Sequence, residues 1–367
     1  MTQAYRDYQA ALDAGDADAL LEAAARAYEA GDEADIDRAT LATLAENYGF
    51  AASLHEDFET SKTAWRISAR LSDRADADPV ERAWRWHNAS LAALSNQDRI
   101  DAYSCSRNAI DALEEIGADL GEASEFAGDA FLTRAALLMG RGRIDEAGEA
   151  ALRSVAEFER TLQEPHSSYG LAHFYSGIAR TLDHEFEDAS YSLHMAIDVV
   201  SDTAPDHPDR RTIWAALVSA QGNLYDDDEA VQEAAFARLD ERLAANRFHS
   251  DLYSDGAADQ RYAESEDEAE AEAEDACCDA VPVRRNPPDY PMGAAYADLD
   301  GVVYLTFAVT EEGRADAIEV TGAFPPGVFE EAAIEAVERW TYEPATRDGE
   351  PVRREGVETR FDFRMQR

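Results

Sequence analysis

From the N-terminus to about residue 250, apolar and small residues return every three or four positions, the spacing of one face of an α-helix. Within this region a trio of small or apolar positions, spaced four and then three apart, recurs six times. The trios are Leu20-Ala24-Ala27, Ser61-Trp65-Ser68, Ala102-Ser106-Ala109, Ala147-Ala151-Ser154, Ala189-Leu193-Ala196 and Ala230-Ala234-Ala237, and their first members lie 41, 41, 45, 42 and 41 residues apart. Each trio lies on one helical face, and a face of small side chains lets a second helix approach closely. Trp86, Phe131 and Trp214 stand 16 residues before three of the trios, large enough to fill the facing helix. Helix pairs of this kind bury their faces only against neighbours and stack into a solenoid.

From Pro282 the period falls to two. The stretch GVVYLTFAVTEEGRADAIEVTG, residues 301–322, reads as two strands around Glu311-Glu312-Gly313, with Val303, Leu305, Phe307 and Val309 on one face. A helical stripe follows through Phe329, Ala333, Ala336, Val337 and Trp340. Pro344 is expected to stop that helix and Asp348-Gly349 to turn the chain. The last segment alternates, with Val357, Thr359, Phe361, Phe363 and Met365 inward and Glu358, Arg360, Asp362 and Arg364 outward. The expected fold is mainly α: a helical-repeat solenoid followed by a small α+β domain with a three-stranded antiparallel sheet.

A third texture separates the two. Residues 255–279 hold eleven acids and one base, Arg261, and like-charge blocks of this kind favour an extended spacer. The expected division is therefore 1–250 helical repeats, 251–282 acidic linker and 283–367 C-terminal domain.

Composition narrows the partners. The 77 acids against 33 bases give a net charge of −44, which argues against nucleic acid and anionic lipid. Lys62 is the sole lysine, as a GC-rich genome would produce. No run of 18 apolar residues exists to span a membrane, and the N-terminus shows no signal peptide. The three cysteines form neither a disulfide framework nor a zinc spacing; the adjacent Cys277 and Cys278 offer a link between two chains in an oxidising compartment.

The stretches RIDAYSCSRNAIDAL and RIDEAGEAALRSVAEF resemble the tetratricopeptide family in its longer form of about 42 residues. That resemblance spans roughly residues 1–250 and implies a concave face that holds another protein. The C-terminal residues are similar to the C-terminal domain of the TonB family of energy transducers. The likeness rests on PPDYP (287–291), GVVYLTFAVTEEGR (301–314), FEEAAIEAVERWTYEPA (329–345), DGEPV (348–352) and VETRFDF (357–363), which occur in the family's order. It implies a periplasmic domain that takes an extended segment of an outer-membrane transporter by strand addition. Carried onto this chain, the partner-binding residues are Val357, Glu358, Thr359, Arg360, Phe361, Asp362 and Phe363 on the final strand, with Tyr290 and Pro291 at the entry. The family's membrane helix and Pro-rich spacer are missing from this sequence. A periplasmic location therefore assumes an export signal outside it; the cytoplasm is the alternative.

No catalytic constellation stands out. His166 and His173 are seven apart on a helical pattern, but no third ligand accompanies them, and nucleophile, phosphate-loop and dinucleotide motifs are absent. The expectation is a non-enzymatic interaction protein with no cofactor and no metal. It links a partner on the repeats to an outer-membrane transport component. The alternative is a scaffold whose C-terminal domain serves assembly or homodimerisation.

Overall fold

The computed structural model describes residues 2–117, 119–224, 229–246, 280–296, 299–325, 328–347 and 350–364. The acidic segment, Cys277, Cys278, Asp348-Gly349 and Met365 lie outside them. By compactness the chain divides into Met1–Leu162 and Gln163–Arg367.

In the first unit, one local device repeats. A residue in the left-handed region ends a helix and an aspartate then starts the next. Gly15 (φ 66°), Asp35 (48°), Glu56 (60°), Asp76 (52°) and Gln97 (58°) reverse the chain. Asp16, Asp37, Asp57, Asp78 and Asp98 follow within two residues, and each side chain accepts a backbone N–H of the first helical turn. The elements so delimited are α1 (Thr2–Ala14), α2 (Ala17–Glu33), α3 (Arg38–Leu54), α4 (Phe58–Arg74), α5 (Pro79–Ser95) and α6 (Arg99–Ile116), then α7 (Ser124–Met139) and α8 (Ile144–Thr161). They pack as pairs α1/α2, α3/α4, α5/α6 and α7/α8, and each pair contacts the next.

The trios form the seams within the pairs, and all twelve of their members in α2, α4, α6 and α8 are buried. Size is matched across each seam. Where the trio's middle member is Trp65, the facing residue is Gly49, and a Cβ there would sit 2.8 Å from the indole. Where the middle member is small, as at Ser106 and Ala151, the opposite helix carries the bulk, with Trp86 and Phe131 buried. Hydroxyls bind across the seam as well: Ser68 donates to the Ala42 carbonyl at 2.8 Å, Ser90 to that of Ala102 at 2.9 Å and Ser154 to that of Gly128 at 2.7 Å.

The second unit opens with α9 (Ser167–Leu182), α10 (Phe186–Thr203), α11 (Arg210–Gly222) and α12 (Glu229–Ala245). The α9/α10 seam follows the same rule, with Leu193 opposite Gly177, where a Cβ would lie 2.5 Å away. His173 fills the place of Trp86 and Phe131 and is fully buried between Tyr169 and Tyr191. Neither of its ring nitrogens has a hydrogen-bond partner. Burial, then nearby Arg180, holds its pKa down at about 3.

The C-terminal elements are β1 (Val281–Arg284), α13 (Met292–Tyr296), β2 (Gly301–Val309), β3 (Ala315–Phe324), α14 (Glu330–Glu338), β4 (Thr341–Glu343), β5 (Ala345–Arg347), β6 (Glu350–Val352) and β7 (Arg354–Phe363). The predicted three-stranded antiparallel sheet has the order β3-β2-β7, and β1/β4 and β5/β6 form two further ribbons. The β2–β3 hairpin turns at Gly313 (φ 72°), where the Tyr342 carbonyl lies 2.0 Å from the place of a Cβ. One face of the sheet and α14 enclose a core of Val303, Leu305, Phe307, Val309, Phe329, Ala333, Ala336, Val337, Trp340, Phe361 and Phe363. That set holds every position placed on the inner face of the first strand and on the helical stripe.

The expected helix stop needs correction. Pro344 does not stop the helix, which ends at Glu338, six residues earlier. Trp340 already lies past it, its indole N–H donating to the Asn286 carbonyl at 2.8 Å. Thr341, Tyr342 and Glu343 pair with β1, and the Tyr342 N–H donates to the Gly313 carbonyl at 2.8 Å. Pairing with β1 overrides helix continuation, and Pro344 marks the break between β4 and β5.

Candidate partner-binding edge

β7 pairs with β2 along its length, from Gly301↔Phe363 to Val309↔Arg354. Among the described residues, no strand pairs with its other side. The alternation read from the sequence holds: Val357 and Thr359 are half-buried, Phe361 and Phe363 buried, and Glu358, Arg360 and Asp362 exposed. Such an edge leaves main-chain donors and acceptors free for a further strand. The charges beside it are partly self-compensated, since Arg360 bonds Asp362 at 3.0 Å.

Tyr290 and Pro291 sit elsewhere. The Tyr290 ring packs edge-on against Phe329 and Phe363, and its hydroxyl donates to the Leu299 carbonyl. The Pro291 carbonyl accepts the Ala295 N–H at the start of α13. The pair therefore anchors the chain's entry and meets the strand at Phe363.

The outward face of the sheet is not left to solvent. The helix α11 lies on β2 and β3. Arg211 bonds Thr321 of β3 at 3.3 Å and Glu358 of β7 at 2.8 Å. Gly322 meets the backbone of Arg211, with only 2.9 Å between that backbone and a Cβ built on the glycine. At the other end of the helix, a Cβ on Gly222 would meet the Arg364 guanidinium. Between them Tyr304 faces Arg360 and Trp214, and burial raises its pKa. Outward-pointing charge on an alternating strand reads as a solvated face; nothing local in the sequence announced a helix there.

Sequence reasoning also left unassigned an apolar strip on the first helices of two pairs in the first unit. Phe50 and Leu54 on α3 and Trp84 and Leu91 on α5 are all exposed. The two helices meet through Glu46, which accepts from the Trp84 indole at 3.3 Å and from Arg85 at 2.9 Å. Spacings of four and seven would have placed each pair on one face, had exposure been known.

Among the described residues, no group of three or more His, Cys, Asp or Glu side chains is placed to hold a metal ion. No helix there is long and apolar enough to cross a membrane. The Cys105 thiol is buried, and desolvation pushes its pKa up to about 12.

Comparison with known proteins matches these parts separately. The family model described as Gram-negative bacterial TonB protein C-terminal covers residues 286–365. The chain is 32% identical over 89 residues to protein TonB of Pseudomonas aeruginosa, across 24% of this chain and 26% of that one. It is 40% identical over 60 residues to protein TonB of Escherichia coli K12, across 16% and 25%. The chain thus spans about a quarter of the length of the curated relatives it matches. The helical part is similar to the crystal structure of a glutamine-to-methionine variant of “Podosopora anserina putative kinesin light chain nearly identical TPR-like repeats”. There the identity is 15% and the TM-score 0.36, over 55% of this chain and 92% of that one. Residues 286–365 match the TonB C-terminal family, on a chain whose other described part is built of packed helix pairs.

Proposed function

We propose that this chain is a non-enzymatic interaction protein of the cell envelope, working in the periplasm. Its C-terminal domain takes an extended segment of an outer-membrane transporter along β7, and its helix pairs hold a second protein. The observation that carries this reading is the single-sided pairing of β7 in a TonB C-terminal domain. Val357–Phe363 supply the edge, recognition is mostly main-chain, and Tyr290 and Pro291 hold the entry to the fold in place. The exposed strip of Phe50, Leu54, Trp84 and Leu91 supports protein binding by the helix pairs.

The test is Arg360→Pro, which removes one backbone donor and bends the edge. Binding of a transporter-derived extended peptide should fall at least tenfold while circular dichroism of the same sample stays native. A folded variant that binds as tightly as wild type removes β7 as the site. The C-terminal domain would then serve assembly, read as a dimer by sedimentation.

The division into residues 1–250, 251–282 and 283–367 belongs to the same proposal, with the acidic segment as spacer. Limited proteolysis should cut first within 251–282. First cuts inside the helix pairs instead would end that division.

A further inference from the structure

The sixth trio behaves unlike the other five. Ala230, Ala234 and Ala237 keep the spacing, stand 41 residues after Ala189, and have Trp214 16 residues before them. Yet all three are exposed, whereas every member of the other five trios is buried. The helix that carries them, α12, uses its opposite face. Ala235, Leu239 and Leu243 are buried, and α12 packs on α10. Arg238 binds Glu187 at 2.8 Å and Arg242 binds Asp188 at 2.7 Å.

The face of α11 that α12 would cover in a sixth pair is occupied by the sheet. Arg211, Trp214 and Gly222 meet the sheet. Their counterparts on α5 are Ala83, Trp86 and Leu94, each 128 positions earlier, the same offset as separates Ala230 from Ala102. On α5 these residues meet the trio helix α6. Ala83 shares a buried cluster with Ala112 and Leu113, Trp86 with Cys105 and Ala109, and Leu94 packs with Ala102. The sheet therefore stands where the second helix of a pair stands elsewhere.

We infer that this face of α11 is a docking surface with two rival occupants from the same chain: the β3-β2-β7 sheet, seated on it here, and the small-residue face of α12. When the C-terminal domain leaves, α12 turns its Ala230-Ala234-Ala237 face onto α11 and completes the sixth helix pair. The sheet's side chains on that face, including Glu358 of β7, are then freed together with Arg364 just past it. The physical basis is that each arrangement leaves a different apolar surface to cover. Undocking uncovers Trp214 on α11, and the available helix with the matching register and small side chains is α12. The inference does not depend on what binds β7.

The test uses the full chain with Cys277→Ser and Cys278→Ser, leaving buried Cys105 as the sole native thiol. A helix reporter is Ala234→Cys, on the trio face. A sheet reporter, in a separate sample, is Thr321→Cys, on the side that Arg211 contacts. Undocking is driven by Arg211→Glu, which sets two carboxylates together at Glu358, or by Gly322→Leu, which has no room against the α11 backbone. A thiol-reactive dye reads both reporters, and circular dichroism checks each fold.

In either undocking variant, the sheet reporter should label at least tenfold faster and the helix reporter at least tenfold slower. Adding Ala230→Glu and Ala237→Glu to the helix-reporter sample should restore fast labelling, because the face then cannot seat on α11. Faster labelling of the sheet reporter with the helix reporter unchanged overturns the inference. So does slow labelling of the helix reporter that survives the two glutamates. A sheet that stays docked in both variants overturns it too, since a surface with two occupants must be open to exchange.

Discussion

The helix pairs and the C-terminal domain bury apolar surface in opposite ways. A seam such as α3/α4 rests on many small contacts, with Ser61, Ser68, Ala42 and Ala45 nearly inaccessible and one large ring, Trp65, set against Gly49. No residue is central, and the next pair repeats the plan. The C-terminal domain gathers its large rings at one point. Trp340 lies 5.3 Å from Phe361 and 6.1 Å from Phe307, ring centre to ring centre, and Phe329 stacks on Phe363 at 4.5 Å. Damage to a seam should stay local, while damage to the aromatic cluster should reach the whole small domain.

The largest expected effect follows from that difference. Trp340→Ala removes the ring at the centre of the cluster and leaves the Asn286 carbonyl without its indole donor. The cost should be about 3–5 kcal/mol, a large share of the roughly 5–15 kcal/mol that holds a domain together. Calorimetry should show the C-terminal transition lost or lowered by many degrees; a melting temperature within a degree of wild type would mean that the cluster has no centre.

Gly49→Ala probes a seam. Its methyl would press on Trp65, and overpacking of this kind costs about 1–3 kcal/mol. Hydrogen exchange should speed up in α3 and α4 and stay unchanged in the C-terminal strands. Faster exchange in both regions would erase the contrast.

A third effect depends on pH. His173 is neutral in the fold, with a pKa of about 3 against about 6.5 when unfolded. Below pH 6.5 the unfolded chain takes up a proton that the folded chain refuses, so stability falls as pH falls towards 3. Phenylalanine already fills the counterpart position at Phe131, so His173→Phe should fit. Its advantage over wild type should grow on acidification, reaching about 2 kcal/mol at pH 5 relative to pH 7.5. Parallel denaturation midpoints at the two pH values would show that the imidazole is not held neutral.

The smallest effect belongs to the surface. Arg153 and Glu114 pair at 3.0 Å with both side chains about half exposed. Glu114→Gln should cost less than about 1 kcal/mol by urea titration, and less still at high salt. A larger loss would mean that contacts between neighbouring pairs rely on charge as well as on fit.

Much of this was legible because it is local. The three-and-four spacing marks the helices, and the strict alternation of 357–363 gives the inner face of β7. The end of α14 was misplaced because a proline is visible in sequence, whereas the pairing of Thr341–Glu343 with β1 joins residues nearly sixty positions apart. The sequence puts the Tyr290-Pro291 pair at the entry to the fold; its contacts with Phe329, Phe363 and Leu299 depend on the assembled fold and could not be read from the dipeptide.

What the sequence determined by itself was the helix pairs, the three strands of the main sheet and the inner faces of all but α12, because helical and strand periods are properties of a few neighbouring residues. What only the tertiary structure decided was the choice between faces that are locally equivalent. The residues of α12 carry two candidate seams, the alanine trio and the Ala235-Leu239-Leu243 face, and its own sequence does not rank them. The ranking comes from α11, whose outer face is taken here by a sheet assembled from β2, β3 and β7.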